Sequence, residues 1–184
     1  MIRPIYLYGS EVLRQVAVDA DLSKKDEITE LVRDLKDTLA HADGCGLAAP
    51  QIGVGLRVVI VDGTGMVDIY DYLKGFKRTL INPVIVESSP KSCEYSEGCL
   101  SLPGLFADVR RPSEITVEYY DESLKKVTET FDKFACRMVQ HEISHLDGDL
   151  FVDHVAPIRK KMIAKKLQNI SRGKVSTYYT TKIK

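Results

Sequence analysis

Apolar residues recur at helical spacing in three stretches of this chain and form short runs or alternate in several others, which predicts a mixture of helices and strands. Ile28, Leu31, Val32, Leu35 and Leu39 keep a 3.6-residue period from a Ser23 cap to about His41. Before them, Ser10 to Arg14 reads as a short helical turn capped by Ser10. Leu56 to Val61 reads as a buried strand, and Thr79 to Glu87 as another in which Pro83 implies an edge position or a bulge. Residues 63 to 78 are polar, contain Gly63, Gly65 and Gly75 and lack a period, so they read as loop, with Tyr70 and Tyr72 as exposed aromatics. Cys93 to Ser101 reads as a strand that ends where Leu102-Pro103-Gly104 turns the chain away. Ile115 to Tyr120 and Lys126 to Phe131 form a hairpin.

A second helix starts near Asp132 or Lys133, uses Phe134, Met138 and Val139 as its apolar face and stops at Gly148. Phe151-Val152 reads as a short strand. Pro157 then opens a last helix with Ile158, Met162, Ile163, Leu167 and Ile170 on one side and Arg159, Lys160, Lys161, Lys165 and Lys166 on the other. Mostly antiparallel strands with a few helices make the class α+β. No repeat, low-complexity tract or boundary interrupts the pattern, so residues 1–184 read as one domain.

Composition narrows the function classes. At 44% hydrophobic and 28% charged residues, the chain lies within the range of globular proteins. Lys plus Arg and Asp plus Glu are 26 each, so no global charge argues for DNA or a membrane, and any basic patch is local. The N-terminus has no apolar core of a signal peptide and no run of 18 apolar residues occurs, which reads as cytoplasmic. Cys45, Cys93, Cys99 and Cys136 have irregular spacing and do not read as a disulfide framework.

The chemistry concentrates in Gln140-His141-Glu142-Ile143-Ser144-His145-Leu146-Asp147-Gly148, which contains H-E-x-x-H. Residues four apart on a helix lie one above the other, so His141 and His145 can offer ring nitrogens to one metal ion. Glu142, about 100° round the helix, sits beside that ion as a general base. A catalytic metal of this kind needs a third protein ligand. The extended peptidase motif fails, because Phe151 occupies the position of its last His and His154 comes three residues later. No Glu follows Glu142, which leaves Asp147, Asp149, Asp153 and His154 as weak candidates and Cys99 upstream as a thiolate. Cys93 with Cys99 and both histidines would instead make a closed structural zinc site, leaving Glu142 without a role.

Gly44-Cys45-Gly46-Leu47-Ala48-Ala49-Pro50-Gln51, then Glu97-Gly98-Cys99-Leu100-Ser101, then the H-E-x-x-H segment resemble the three motifs of peptide deformylases, in family order and spacing. The resemblance runs from Pro4 to about Ile170. It implies a motif helix enclosed by sheets and removal of the N-formyl group from the initiator methionine of nascent polypeptides. It implies Cys99, His141 and His145 as metal ligands and Glu142 as base, with the Gln51 amide and the Leu100 backbone N–H as oxyanion donors. Gly46 backbone would align the peptide, with Cys45, Glu97 and Met138 near the methionine pocket. The implied cofactor is one divalent metal ion: Fe2+ in the cell, with Zn2+ or Ni2+ possible in purified protein. The partners are N-formylmethionyl nascent peptides, and the basic last helix offers a contact to the ribosome.

Two positions depart from the family pattern. Cys45 stands where the family has Val or Ile, and Ser144 stands where its motif reads H-E-x-D-H. The absent carboxylate belongs to the shell behind the ligands, where it could pair with an arginine such as Arg111. The alternatives are an H-E-x-x-H metallopeptidase with an Asp or His154 ligand, and a catalytically weakened metal-binding relative.

Overall fold

A computed structural model describes residues 1–184. In chain order its elements are β1 (Ile5–Tyr6), α1 (Lys25–Ala42), β2 (Gly46–Ala48), β3 (Val58–Asp62), β4 (Lys77–Ser88), β5 (Ser92–Cys99), β6 (Leu102–Pro112), β7 (Glu114–Tyr120), β8 (Lys126–Asp132), α2 (Lys133–Leu146), α3 (Pro157–Ser171) and β9 (Thr181–Lys182). The expected α+β class is observed. Five strands form an antiparallel sheet in the order β2-β3-β4-β7-β8, β5 pairs with β6 as a separate antiparallel ribbon, and β1 pairs with β9 in parallel.

The side-chain alternation of β3 explains the layering. Val58 and Ile60 pack with Ile28, Leu31, Val32, Leu35 and Leu39 of α1, whereas Val59 and Val61 pack with Met138, Val139, Ile143 and Leu146 of α2. The central sheet is therefore covered on both faces by helices, and each fully buried Val, Leu or Ile contributes about 1.5–3 kcal/mol. A third cluster joins Leu102, Leu105, Ala107 and Val109 of β6 to Phe151, Val152, Ile163 and Ile170. The motif helix packs on the five-stranded sheet and bonds to the β5–β6 ribbon through Arg137 and Gln140, with 11 of its residues buried.

Several local expectations differ from the structure. Ser23 does not cap α1: Lys24 is the N-cap and the Ser23 hydroxyl donates to Asp21 Oδ1 at 2.7 Å. Ser10 precedes its short turn without a side-chain cap. Leu102-Pro103-Gly104 does not turn the chain away but begins β6, whose inward positions Leu105, Ala107, Val109 and Arg111 alternate with exposed ones. The alternation was in the sequence, but Pro103-Gly104 at its start and an arginine on its inward face obscured it. Phe151–His154 is a 3-10 turn, not a strand. Pro83 lies in a strand with neighbours on both sides, where a register shift between Ile81 and Val84 forms the bulge that accommodates it. On α3 the buried stripe is only Ile163 and Ile170, and Ile158 and Met162 are exposed, because the helix lies on the outside of the third cluster.

Candidate metal centre

Cys99, His141 and His145 offer Sγ and two ring nitrogens that all lie within 4.8 Å of one another. The two histidines come from successive turns of α2, with ring centroids 5.1 Å apart. Cys99 ends β5 at a register shift between Gly98 and Cys99, and such an irregularity re-aims a side chain. Its Sγ lies 3.4 Å from His145 Nε2.

Behind the ligands stands Glu97. Its Oε1 lies 2.8 Å from His141 Nδ1, leaving Nε2 as the ring's free ligand atom. The same carboxylate accepts from Arg111 at 2.7 and 3.0 Å and from Arg137 at 2.6 Å. Burial alone would raise the Glu97 pKa, but His141 and Arg111 outweigh it and hold the group far below the usual carboxylate range. Arg111 also donates to Ser144 Oγ at 2.9 Å. The family carboxylate absent at 144 would thus have faced Arg111, whose charge is met here by Glu97.

The donor set fits a metal ion. Burial, followed by the neighbouring His141, pushes His145 well below its ordinary pKa and leaves a neutral imidazole, the form that binds metal. Burial opposes a charge on His141, yet contacts with Cys99 and Glu97 prevail and raise it to about 10. A metal ion binding at His141 therefore displaces a proton there. Glu142 is buried, and its Oε2 has no hydrogen-bond partner. Desolvation pushes its pKa up to about 7, placing a proton acceptor in the neutral range beside the ligands.

Cys99, His141 and Glu142 border a cavity of about 810 Å³ that also touches Cys45, Gly46, Gln51, Glu97, Leu100 and Met138, with His145 one turn behind His141. Gln51 is fixed at both ends: its Oε1 accepts from Ala48 N–H at 2.9 Å, and its Nε2 donates to Ser101 Oγ at 3.1 Å and Cys99 Sγ at 3.4 Å. Gly46 passes so close to the base that a Cβ there would meet Glu142 Oε1 at 2.5 Å. Glu97 borders the cavity, but its carboxylate is engaged by His141 and two arginines, so the side chain orients a candidate ligand.

The other ligand candidates are occupied elsewhere. Asp147 pairs with Arg57, Asp149 with His154 and Asp153 with Arg14. Cys93 does not belong to the cluster, and its carbonyl accepts from Arg137 at 2.8 Å. Sequence reasoning missed Arg137, which stands one turn before His141 on α2 and could have been noticed as a cation on an otherwise apolar face. Of the two aromatics expected to be exposed, Tyr72 is, with its Oη accepting from the Phe134 N–H at 3.2 Å, whereas Tyr70 is half-buried and stacks on Phe134 at 4.8 Å, so both pack against the start of α2.

A carboxylate of neutral pKa next to three converging candidate ligand atoms, beside an open cavity, is suited to activating water against a bound amide, and this places the chain among metal-dependent hydrolases. A model of the polypeptide deformylase family matches residues 2–161. The peptide deformylase of Cytophaga hutchinsonii is 40% identical over 182 residues, spanning 99% of this chain and 97% of that one. That of Fusobacterium nucleatum is 41% identical over 174 residues, 94% of each chain. The crystal structure of the Legionella pneumophila peptide deformylase superposes with a TM-score of 0.82 at 36% identity, over 95% of this chain and 98% of that one. The Thermus thermophilus enzyme gives 0.83 at 34% identity, over 94% and 99%. The chain belongs to the peptide deformylase family. It is a metalloenzyme that removes the N-formyl group from nascent polypeptides. No helix is long and apolar enough to cross a membrane.

Proposed function

We propose that residues 1–184 act as a single catalytic domain in which Cys99, His141 and His145 hold one divalent ion and Glu142 is the general base. The observation that carries this is the unpartnered buried Glu142 oxygen beside three converging ligand atoms. When bound, the ion supplies Lewis acidity, lowering the pKa of water and polarising the formyl carbonyl. Glu142 takes the proton of the attacking water and later delivers it to the departing amine of methionine. Gln51 Nε2, on releasing its 3.4 Å contact with Cys99 Sγ, and the Leu100 N–H donate to the oxyanion as it develops, each worth about 3 kcal/mol in the barrier. Gly46 backbone aligns the peptide, and Cys45 and Met138 border the methionine side chain.

A thiolate with two imidazoles suits Fe2+ or Zn2+. Fe2+ is the working ion in the cell in this reading, with Zn2+ or Ni2+ in purified protein. The enzyme is read as cytoplasmic. Its basic α3 is a contact to the ribosome: Lys160, Lys161, Lys165 and Lys166 are exposed, with Ile158 and Met162 exposed among them.

The deciding experiment measures amine release from formyl-Met-Ala-Ser by Fe2+- or Ni2+-loaded protein under anaerobic conditions. The wild type should turn over, Glu142→Ala should retain the metal and lose about 10²–10⁴ in kcat, and Cys99→Ser should lose the metal. Metal bound without turnover in the wild type, or full metal retention in Cys99→Ser, overturns the assignment.

A further inference from the structure

The cavity has a wall that neither the motifs nor the family match at 2–161 accounts for. After α3 the chain returns across the mouth of the site, and Ser176, Thr177, Tyr178 and Tyr179 border the cavity. This segment is tied down by backbone bonds to β1. Ile5 N–H donates to Thr180 O and Leu7 N–H to Lys182 O, both at 2.9 Å. Two adjacent tyrosines then reach opposite sides of the cleft. The Tyr178 hydroxyl donates to Ala42 O at 2.5 Å, at the last residue of α1 and just before the Gly44–Gln51 motif. The Tyr179 hydroxyl donates to Leu100 O at 2.8 Å, inside the turn that carries Cys99.

The chemistry of Tyr179 makes its hydroxyl informative. Its ring is 8% exposed and packs into the α1 core, where phenylalanine would fill the same space. A buried hydroxyl is costly unless bonded, and its bond is to a carbonyl of the catalytic turn. Tyr8 N–H donates to the next carbonyl, Ser101 O, at 2.9 Å. The β1–β9 region therefore holds the Leu100–Ser101 and Ser101–Leu102 peptide units. The Leu100 N–H belongs to the preceding Cys99–Leu100 unit, which is held on one side through Leu100 by the Tyr179 bond and on the other through Cys99, whose Sγ contacts Gln51 Nε2 and His145 Nε2. On the other side, the Ala42 carbonyl is one of the end carbonyls that a helix leaves without an intrahelical partner. Bonding it holds the exit of α1, from which Asp43, at φ 52°, leads into Gly44–Gly46.

We propose that Tyr179 and Tyr178 are positioning residues for deformylation: Tyr179 aims the Leu100 N–H by holding the Cys99–Ser101 turn, and Tyr178 sets the Gly44–Gly46 wall along which the peptide lies. This rests on the roles given above to Leu100 and Gly46. The two tyrosines should then fail differently. An oxyanion exists only in the transition state, so loosening its donor lowers kcat and leaves KM nearly unchanged. Loosening the wall weakens ground-state binding, so KM rises and kcat is kept.

The test compares metal-loaded wild type, Tyr179→Phe, Tyr178→Phe and Glu142→Ala on formyl-Met-Ala-Ser, at a temperature where circular dichroism shows each protein folded. Metal content is measured alongside. The expected result is roughly a tenfold loss of kcat in Tyr179→Phe and a severalfold rise of KM in Tyr178→Phe, each with full metal content; a 1 Å misplacement can cost about 10². Wild-type kinetics in both variants, parallel losses that track metal loss, or a Tyr179→Phe protein that folds at no temperature overturns the inference. An inactive Glu142→Ala beside a fully active Tyr179→Phe removes this inference alone, whereas an active Glu142→Ala removes the site assignment beneath it.

Discussion

His141 Nδ1 lies 2.8 Å from Glu97 Oε1, so a carboxylate two residues before Cys99 orients the ring of the first candidate histidine ligand. The two residues are 44 positions apart in the chain, and one strand end and one helix turn bring them together. Because Arg111 and Arg137 also bind Glu97, the contact that sets the imidazole also gives two buried cations their shared ion-pair partner.

Glu97→Gln removes that charge while keeping the shape. Metal affinity should fall about 10–100-fold, and stability by about 3–5 kcal/mol, the cost of leaving buried charges uncompensated. Titration with Zn2+ and thermal unfolding measure the two effects. In the wild type, the stability due to Glu97 is present above its unfolded pKa near 4 and is lost as pH falls through its depressed folded value. A Glu97→Gln protein as stable as wild type at pH 7 contradicts this network.

Glu142 predicts two pH effects with opposite consequences. As a base it works only when ionised, and desolvation raises it to about 7, so activity should rise with pH; a bound cation moves the step lower. Its folded pKa lies above its unfolded value, so the folded state binds more protons and metal-free stability drops as pH rises from about 4.5 to about 7. Metal-free Glu142→Gln should therefore melt above wild type at pH 8 and level with it near pH 4. Equal melting temperatures at pH 8 count against a desolvated base.

Ser144→Asp restores the family carboxylate opposite Arg111. A bond charged on both sides should replace one charged only at the guanidinium, a gain of about 1 kcal/mol, and should tighten metal retention against a chelator. Unchanged melting and unchanged metal release show that Glu97 alone already satisfies Arg111.

Lys160, Lys161, Lys165 and Lys166 lie on the outer surface of α3. Replacing all four by Ala should weaken salt-sensitive binding to ribosomes while leaving turnover of a free formyl tripeptide unchanged. Sedimentation with ribosomes at low and moderate salt gives the readout, and binding that does not change ends the proposed contact.

Residue order alone specified the elements that are periodic over their own length: α1, the motif helix, the β7–β8 hairpin and the α+β class. It also specified the candidate ligands, because two histidines one turn apart and a cysteine in a shared motif carry their chemistry in spacing. What those residues lean on was settled by tertiary packing. Arg137, Ser101 and the Tyr178-Tyr179 pair act through contacts between segments far apart in the chain, and spacing carries no trace of such contacts. The same limit hid β6, whose inward arginine is tolerable only because Glu97 stands opposite it. It also misled the reading of α3, where the number of apolar residues exceeds the one narrow stripe that the third cluster can cover. Local periodicity records what a segment can bury, and the partners that accept the burial are chosen by the fold.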